Sequence, residues 1–383
     1  MSLIKKVSHE GKRLVCLSFL LFLPVLLDFI KVYVGGDSSI HTYIVYITSL
    51  LFILFVFRKD MTIKTLGVML LFYFLFGISY LLFPETREFY SSNGFIILCL
   101  YFVPVIFLVV REIRDWSNFF IIMSWFGIFA VLMGLFIVFF SGVDNYSADE
   151  RYFTYMEFSY AQLPFVCSLY KCSKERRPLL FFPFFALGLL EMFAFGSRAS
   201  LLFAILFVFL IEFINRISNF MSMMILIFII FLLVINLNSI IDWLASISGL
   251  GDSYVLRHIL SGDLFAHDTR DIIYSNCRNR INTMGLEVSG FYGDRRYCGD
   301  VYPHNIIYEV LMQWGWIIGS LILLYLLFLI IRSFRNKDNY PIAFFLLCCL
   351  LGRYFVSGTY VIEGRFWIFY ACLLALSRRF KII

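Results

Sequence analysis

Charge is what this chain has little of. Only 15% of its 383 residues are Asp, Glu, Lys or Arg, while 61% are hydrophobic and 20% aromatic. A soluble domain carries about a quarter charged residues, so the shortage excludes a water-soluble globular protein. The net charge of +6 then says little about nucleic acid, because the placement of the charges matters more than their sum, and no nucleic-acid partner is expected. The nine cysteines are scattered, with no CxxC and no Cys/His ligand spacing. There is no P-loop, no GxGxxG and no DxD-like acidic pair in a metal context, so neither a cofactor nor a metal is expected. No internal repeat is visible. The first apolar run lacks a small-residue cleavage site and is too long for an h-region, so no cleavable signal peptide is expected.

What the sequence does have is apolar runs of about twenty residues, each long enough to cross a bilayer as a helix. Twelve spans are expected: 14–34, 40–57, 65–83, 95–110, 117–140, 158–170, 179–195, 199–214, 220–241, 306–331, 340–356 and 366–377, of which the sixth and last are short. The fold class is therefore an all-α polytopic membrane protein with about 12 transmembrane helices and one long outward loop containing short helices. Residues 1–241 carry spans one to nine, 242–305 form the loop, and 306–383 carry spans ten to twelve. Alternate connectors hold 20 of the 32 Lys and Arg residues, and nine of the ten lysines. By the positive-inside rule these connectors and both termini are cytoplasmic, and 242–305 faces outward.

The cations left on the outward side are eleven arginines and one lysine, Lys31. They oppose the orientation rule, so something there uses guanidinium rather than charge alone. Six of the arginines lie in the loop: Arg257, Arg270, Arg278, Arg280, Arg295 and Arg296. A guanidinium forms paired, planar hydrogen bonds to phosphate that an ammonium cannot. The pattern points to a phosphate-bearing ligand at a membrane surface.

Within the loop, DTRDIIYSNCRNRINTMG reads as a surface helix capped by Asp268 or Thr269, with Ile273, Cys277, Ile281 and Met284 as its apolar stripe and Gly285 as its end. Arg270 falls in the first turn, where backbone N–H groups also favour anions. Arg278 and Arg280 are about 200° apart and cannot both face one ligand. GFYGDRRYCGD reads as a glycine-hinged loop able to move over a site. His304 and Asn305 stand just before a span with Glu309 a turn deeper, and a histidine there titrates near neutrality and suits general-base work. Arg198 sits at a tight turn between two spans, where interfacial snorkelling is the plainer role. Asp28 and Lys31 suit an ion pair on one helix face. Glu191 is an intramembrane acid, functional or structural. Gly315 and Gly319 form a GxxxG suited to close helix packing. Cys277 and Cys298, both in the loop, become a disulfide candidate if it faces an oxidising compartment.

GSRASLL at 196–202, TRDIIY some seventy residues later, and YPHNIIYEVLMQWGWIIG together resemble the bacterial O-antigen polymerase (Wzy type) and O-antigen ligase superfamily. The His304-Asn305, nine residues, Gly315 spacing is similar to that family's signature helix, Arg198 to Leu202 matches a second pattern, and GFYGDRR looks like the polymerases. The resemblance covers about 190–325; the first half matches only in span number and hydrophobicity. It implies a metal-independent glycosyltransferase of the bacterial inner membrane whose active site faces the periplasm. A growing glycan would pass from undecaprenyl diphosphate to the non-reducing end of a new lipid-linked unit. The implied partners are that lipid-linked oligosaccharide donor and acceptor, the lipid bilayer and a chain-length regulator protein. On this reading His304 activates the acceptor hydroxyl, with Glu309 or Asn305 orienting it. Arg198 and Arg270 bind diphosphate, and Arg295, Arg296 and Arg365 are further candidates. Two alternatives stay open: a ligase that delivers glycan to lipid A core, and a lipid-linked oligosaccharide flippase.

Overall fold

The computed structural model describes residues 9–34, 38–141, 150–195, 197–216, 270–298 and 302–378. The expected ninth span, the loop stretch 242–269 with Arg257, and the caps Asp268 and Thr269 lie outside the described residues. Every regular element is helical, with no strand among the described residues. In chain order these are α1 (His9–Val34), α2 (Ser38–Val56), α3 (Ile63–Leu82), α4 (Asn93–Ile97), α5 (Val103–Leu108), α6 (Phe119–Ser141), α7 (Glu150–Glu175), α8 (Pro178–Ala194) and α9 (Arg198–Arg216). After the undescribed stretch come α10 (Arg270–Met284), α11 (Ile306–Ser333), α12 (Tyr340–Phe345) and α13 (Gly364–Ser377). A π-helical turn, Leu98–Phe102, joins α4 to α5.

Local chemistry sets several of the starts. The Thr62 hydroxyl accepts from Thr65 N and caps α3, and prolines occupy the first turn of α5, α8 and α12, where the missing N–H costs nothing. Among the described residues, five stretches are long and apolar enough to cross a membrane: His9–Val32, Thr65–Leu82, Gly94–Glu112, Phe119–Phe139 and Ile306–Ser333. Four shorter helices are also apolar. Large apolar side chains stand exposed along them, among them Phe52 and Phe55 on α2, Leu70 and Phe74 on α3, and Leu321 and Leu324 on α11. Helices meet their backbone hydrogen-bond needs internally, and such a surface suits lipid, not water. The helical membrane character holds; of the twelve expected crossings, five correspond to long apolar helices among the described residues.

The chain forms two compact units. The first comprises Met1–Leu17, Asp37–Trp116 and His267–Ile383, and the second Ser18–Gly36 and Ser117–Ala266.

In the second unit α7 departs from expectation. A short span at 158–170 was expected, yet α7 is 26 residues long and buried almost continuously from Phe158 to Ser173, its polar side chains included. Those side chains bond inward: Ser159 to Ser200 at 2.6 Å, Gln162 to Glu191, and Tyr170 to Glu212 at 2.5 Å. Gly134 lets α6 approach, since a Cβ there would fall on the Glu191 carboxylate. Glu191 is thus a buried acid held by an amide at a helix crossing. Asp28 and Lys31 do pair, at 3.1 Å.

In the first unit, connectors distant in sequence meet at one end. Arg13 reaches Asp60 at 3.0 Å and the Glu112 carbonyl at 2.7 Å, while Arg378 reaches the Glu112 carboxylate at 3.1 Å. These are residues that the charge count assigns to a single face.

Candidate functional site

The site in the first unit is built around a break in a helix. The Asn305 side-chain carbonyl accepts from Ile307 N at 2.9 Å and Tyr308 N at 3.4 Å, starting α11, a cap worth about 1 kcal/mol. Ten residues on, Gly315 leaves the helical conformation at φ 70 and ψ 178, a region open to glycine alone without strain. The break frees the Gln313 carbonyl, which accepts from Ser289 N at 2.9 Å and Gly290 N at 3.0 Å. The glycine-rich loop therefore docks into the broken helix.

That loop is a plug and not the free hinged flap expected. Residues 289–295 are buried. Phe291 stacks on Phe76 at 4.1 Å between ring centroids and meets the Trp314 ring at 4.9 Å. Its N–H bonds to the Ser79 hydroxyl, and Gly290 leaves no room for a Cβ beside Phe83. The GxxxG reading is likewise corrected. A Cβ on Gly315 would lie 2.7 Å from the Glu287 carbonyl, and one on Gly319 would meet Val310 and Leu311 across the break. The two glycines serve the break instead of a partner helix.

A chain of buried polar groups runs behind the plug. Asp294 accepts from Gln313 Nε2 at 2.5 Å, Gln313 Oε1 accepts from the Tyr360 hydroxyl, and the same hydroxyl accepts from Trp314 Nε1 at 3.0 Å. Glu309 accepts from the Thr359 hydroxyl and from Tyr360 N at 3.2 Å. The carboxylate expected to orient His304 thus holds the 359–360 turn, and Asn305 caps its helix. Burial raises the Asp294 pKa above its ordinary 3.8, although Arg295 and Gln313 act to lower it.

The other expected residues fall as follows. His304 is half-buried, its ring 4.3 Å from that of Tyr302, with φ 55. Arg295 turns inward, 3.6 Å from Asp294, with its guanidinium carbon 5.0 Å from the Tyr302 ring centroid. Arg296 is exposed and 3.7 Å from Glu85. Arg365 stands half-buried in the first turn of α13. Arg270 opens α10, and Arg198 opens α9 in the second unit. The surface helix matches its expected stripe: Cys277, Ile281 and Met284 are buried with Ile273 packed against them, and Gly285 ends the helix at φ 58. Arg278 is exposed, whereas Arg280 pairs with Glu287 at 2.9 Å and lies over Tyr297. Among the described residues, no three His, Cys, Asp or Glu side chains are placed to hold a metal.

Backbone strain marks the same region. The two non-glycine residues with positive φ among the described residues are Tyr292 and His304, a conformation that side chains resist and that gathers at functional sites.

Against this network lies an apolar slot of about 770 Å³. Its lining runs from Arg111 and Arg378, through Phe72 and Trp367, to Phe291 and Tyr360. On α11 the lining comes from both sides of the break, from Ile306 and Val310 before it to Ile318 and Leu326 after it.

Sequence reasoning passed over Asp294, Gln313, Trp314, Thr359 and Tyr360. Two of them carried a signal: Gln313 is a lone amide in an apolar span, and Asp294 is an acid directly before two arginines. Comparison of the chain with protein-family models, curated proteins and solved structures gives no match in any of the three, so the functional reading rests on the residues and their geometry.

Proposed function

We propose that the protein is a membrane glycosyltransferase acting on polyprenyl-diphosphate-linked glycans, of the O-antigen polymerase kind. The observation that carries this reading is the slot: an apolar cavity of about 770 Å³ whose lining includes Trp314 and Tyr360 of the buried polar network. A substrate with a long apolar tail and a polar head needs that combination. The tail lies along α3, α11 and α13, and the head reaches the face bearing His304 and the loop arginines.

His304 takes the proton from the acceptor hydroxyl as its oxygen attacks the anomeric carbon, and the bond from that carbon to the diphosphate breaks. The departing diphosphate gathers negative charge. Arginines aimed at it stabilise the transition state by charge-assisted, paired hydrogen bonds. Arg270, at the start of α10, and exposed Arg296 are assigned to that role, with half-buried Arg365 as a further candidate. Arg295 serves differently, holding the plug through Asp294 and Tyr302. Arg198, at the start of α9 in the second unit, is a separate diphosphate candidate.

The test is a gene deletion with surface polysaccharide read on a gel, complemented by His304→Ala and Arg270→Ala variants whose membrane insertion is checked. Loss of the long ladder with a surviving single-repeat band, reproduced by both variants, is the expected result. Complete loss of attached repeats, with polymer accumulating on the carrier, assigns the protein as a ligase. Repeats trapped on the cytoplasmic side replace the transferase reading with a flippase.

A further inference from the structure

We propose that Cys277 and Cys298 are joined by a disulfide in the cell, a covalent staple between α10 and the plug. The inference rests on the reading that this face of the protein lies outside the cytoplasm, in a compartment where disulfides persist. The two sulfurs are 3.4 Å apart. They come from residues 21 positions apart, one on the apolar stripe of α10 and the other at the end of the Arg295–Tyr297 turn. Bonding shortens the separation by about 1.4 Å. Both side chains are buried, in a pocket walled by Ile281, Met284, Leu311 and Met312.

The oxidant is a disulfide-carrying thiol oxidase protein. The Cys277 thiolate attacks its disulfide and forms a mixed disulfide, and the Cys298 sulfur then displaces it. The protein's two thiols lose two electrons and two protons, and the donor leaves as a dithiol. Because the finished pocket is closed to solvent, exchange precedes docking of the plug.

The staple ties together pieces the proposed reaction depends on. α10 begins with Arg270, and the plug carries Asp294, Arg295 and Arg296. With the bond made, the helix that presents one arginine and the plug that presents the others cannot drift apart.

The experiment counts thiols. Cells are quenched in acid, the denatured protein is blocked with a maleimide, reduced, and labelled with a heavier maleimide, and the labelled peptides are read by mass spectrometry. Seven of the nine cysteines are expected to block at once, and Cys277 and Cys298 only after reduction. Cys277→Ser, Cys298→Ser and the double variant should then melt at one common, lowered temperature, since each removes the same bond. If all nine block at once in cells, while a mild oxidant links the pair in isolated membranes, the cellular staple and the outward orientation both fall. If neither condition links them, the geometry is overturned and the transferase reading stands untouched.

Discussion

Two long helices, α7 and α11, solve opposite problems. α7 is 26 residues without a break, carries serines, a glutamine and the buried Lys171, and is buried all round from Phe158 to Ser173. α11 is 28 residues, strongly apolar along its second half, and broken at Gly315. In lipid the apolar helix goes outward, and the polar one goes inward to have its hydrogen bonds met by neighbours. Polarity in α7 is therefore used up in packing: Ser159, Gln162 and Tyr170 each have a partner on another helix. Polarity at the start of α11 supports a plug and two strained residues. Buried polar groups alone do not mark a site; what distinguishes the proposed one is that its polar groups lie next to backbone strain and an apolar slot.

The strongest way to break the comparison is to heal the break. Gly315→Leu puts a side chain at φ 70 and collides with the Glu287 carbonyl. The backbone strain alone costs about 1–3 kcal/mol, so the purified protein should melt well below the parent and the polysaccharide ladder should vanish. Arg295→Gln comes next. It leaves Asp294 buried without its neighbouring cation, at a cost of about 2 kcal/mol in thermal unfolding, since a buried polar group left without a partner loses its compensation for lost water. Adding Asp294→Asn should restore most of that stability without restoring activity. In the second unit, Gly134→Ala pushes the carboxylate end of Glu191 and the amide of Gln162 and should cost about 1 kcal/mol. With Glu191→Ala added, the two effects should sum to less than their separate losses.

The smallest effect is a slope with pH. Burial raises the folded Asp294 pKa, so below the ordinary carboxylate value folded and unfolded chains are both protonated and the stabilisation is full. As pH rises the unfolded chain releases its proton first, and the stabilisation is lost through the folded pKa. Melting temperatures across the acid range should therefore fall slightly with rising pH from this group, and Asp294→Asn should remove that component.

Much of this was legible in the sequence because it depends on local pattern. The surface helix announced itself by Ile273, Cys277, Ile281 and Met284 at helical spacing, and Gly285 ended it. The Asp28–Lys31 pair followed from a three-residue offset. α7 was misjudged because its serines and glutamine dilute the apolar signal, and only tertiary packing shows them to be interior. The plug was read as mobile because glycines usually mean freedom; here Gly290 and Gly315 allow close approach instead. The partners of Glu309, some fifty residues away at Thr359 and Tyr360, carry no local mark at all.

The break at Gly315 also works as a mechanical joint. The lipid-facing length of α11 after residue 315 has to tilt with membrane thickness, and an unbroken hydrogen-bonded rod would pass that tilt straight to Asn305 and His304. With the ladder interrupted and Gln313 bonded to the plug instead, the two lengths of the helix need not move as one. The lower length can follow the membrane while the upper stays registered to the plug. Activity reconstituted in vesicles of different acyl length should then vary little, whereas a variant with a straightened α11 would couple its site to the thickness of the membrane around it.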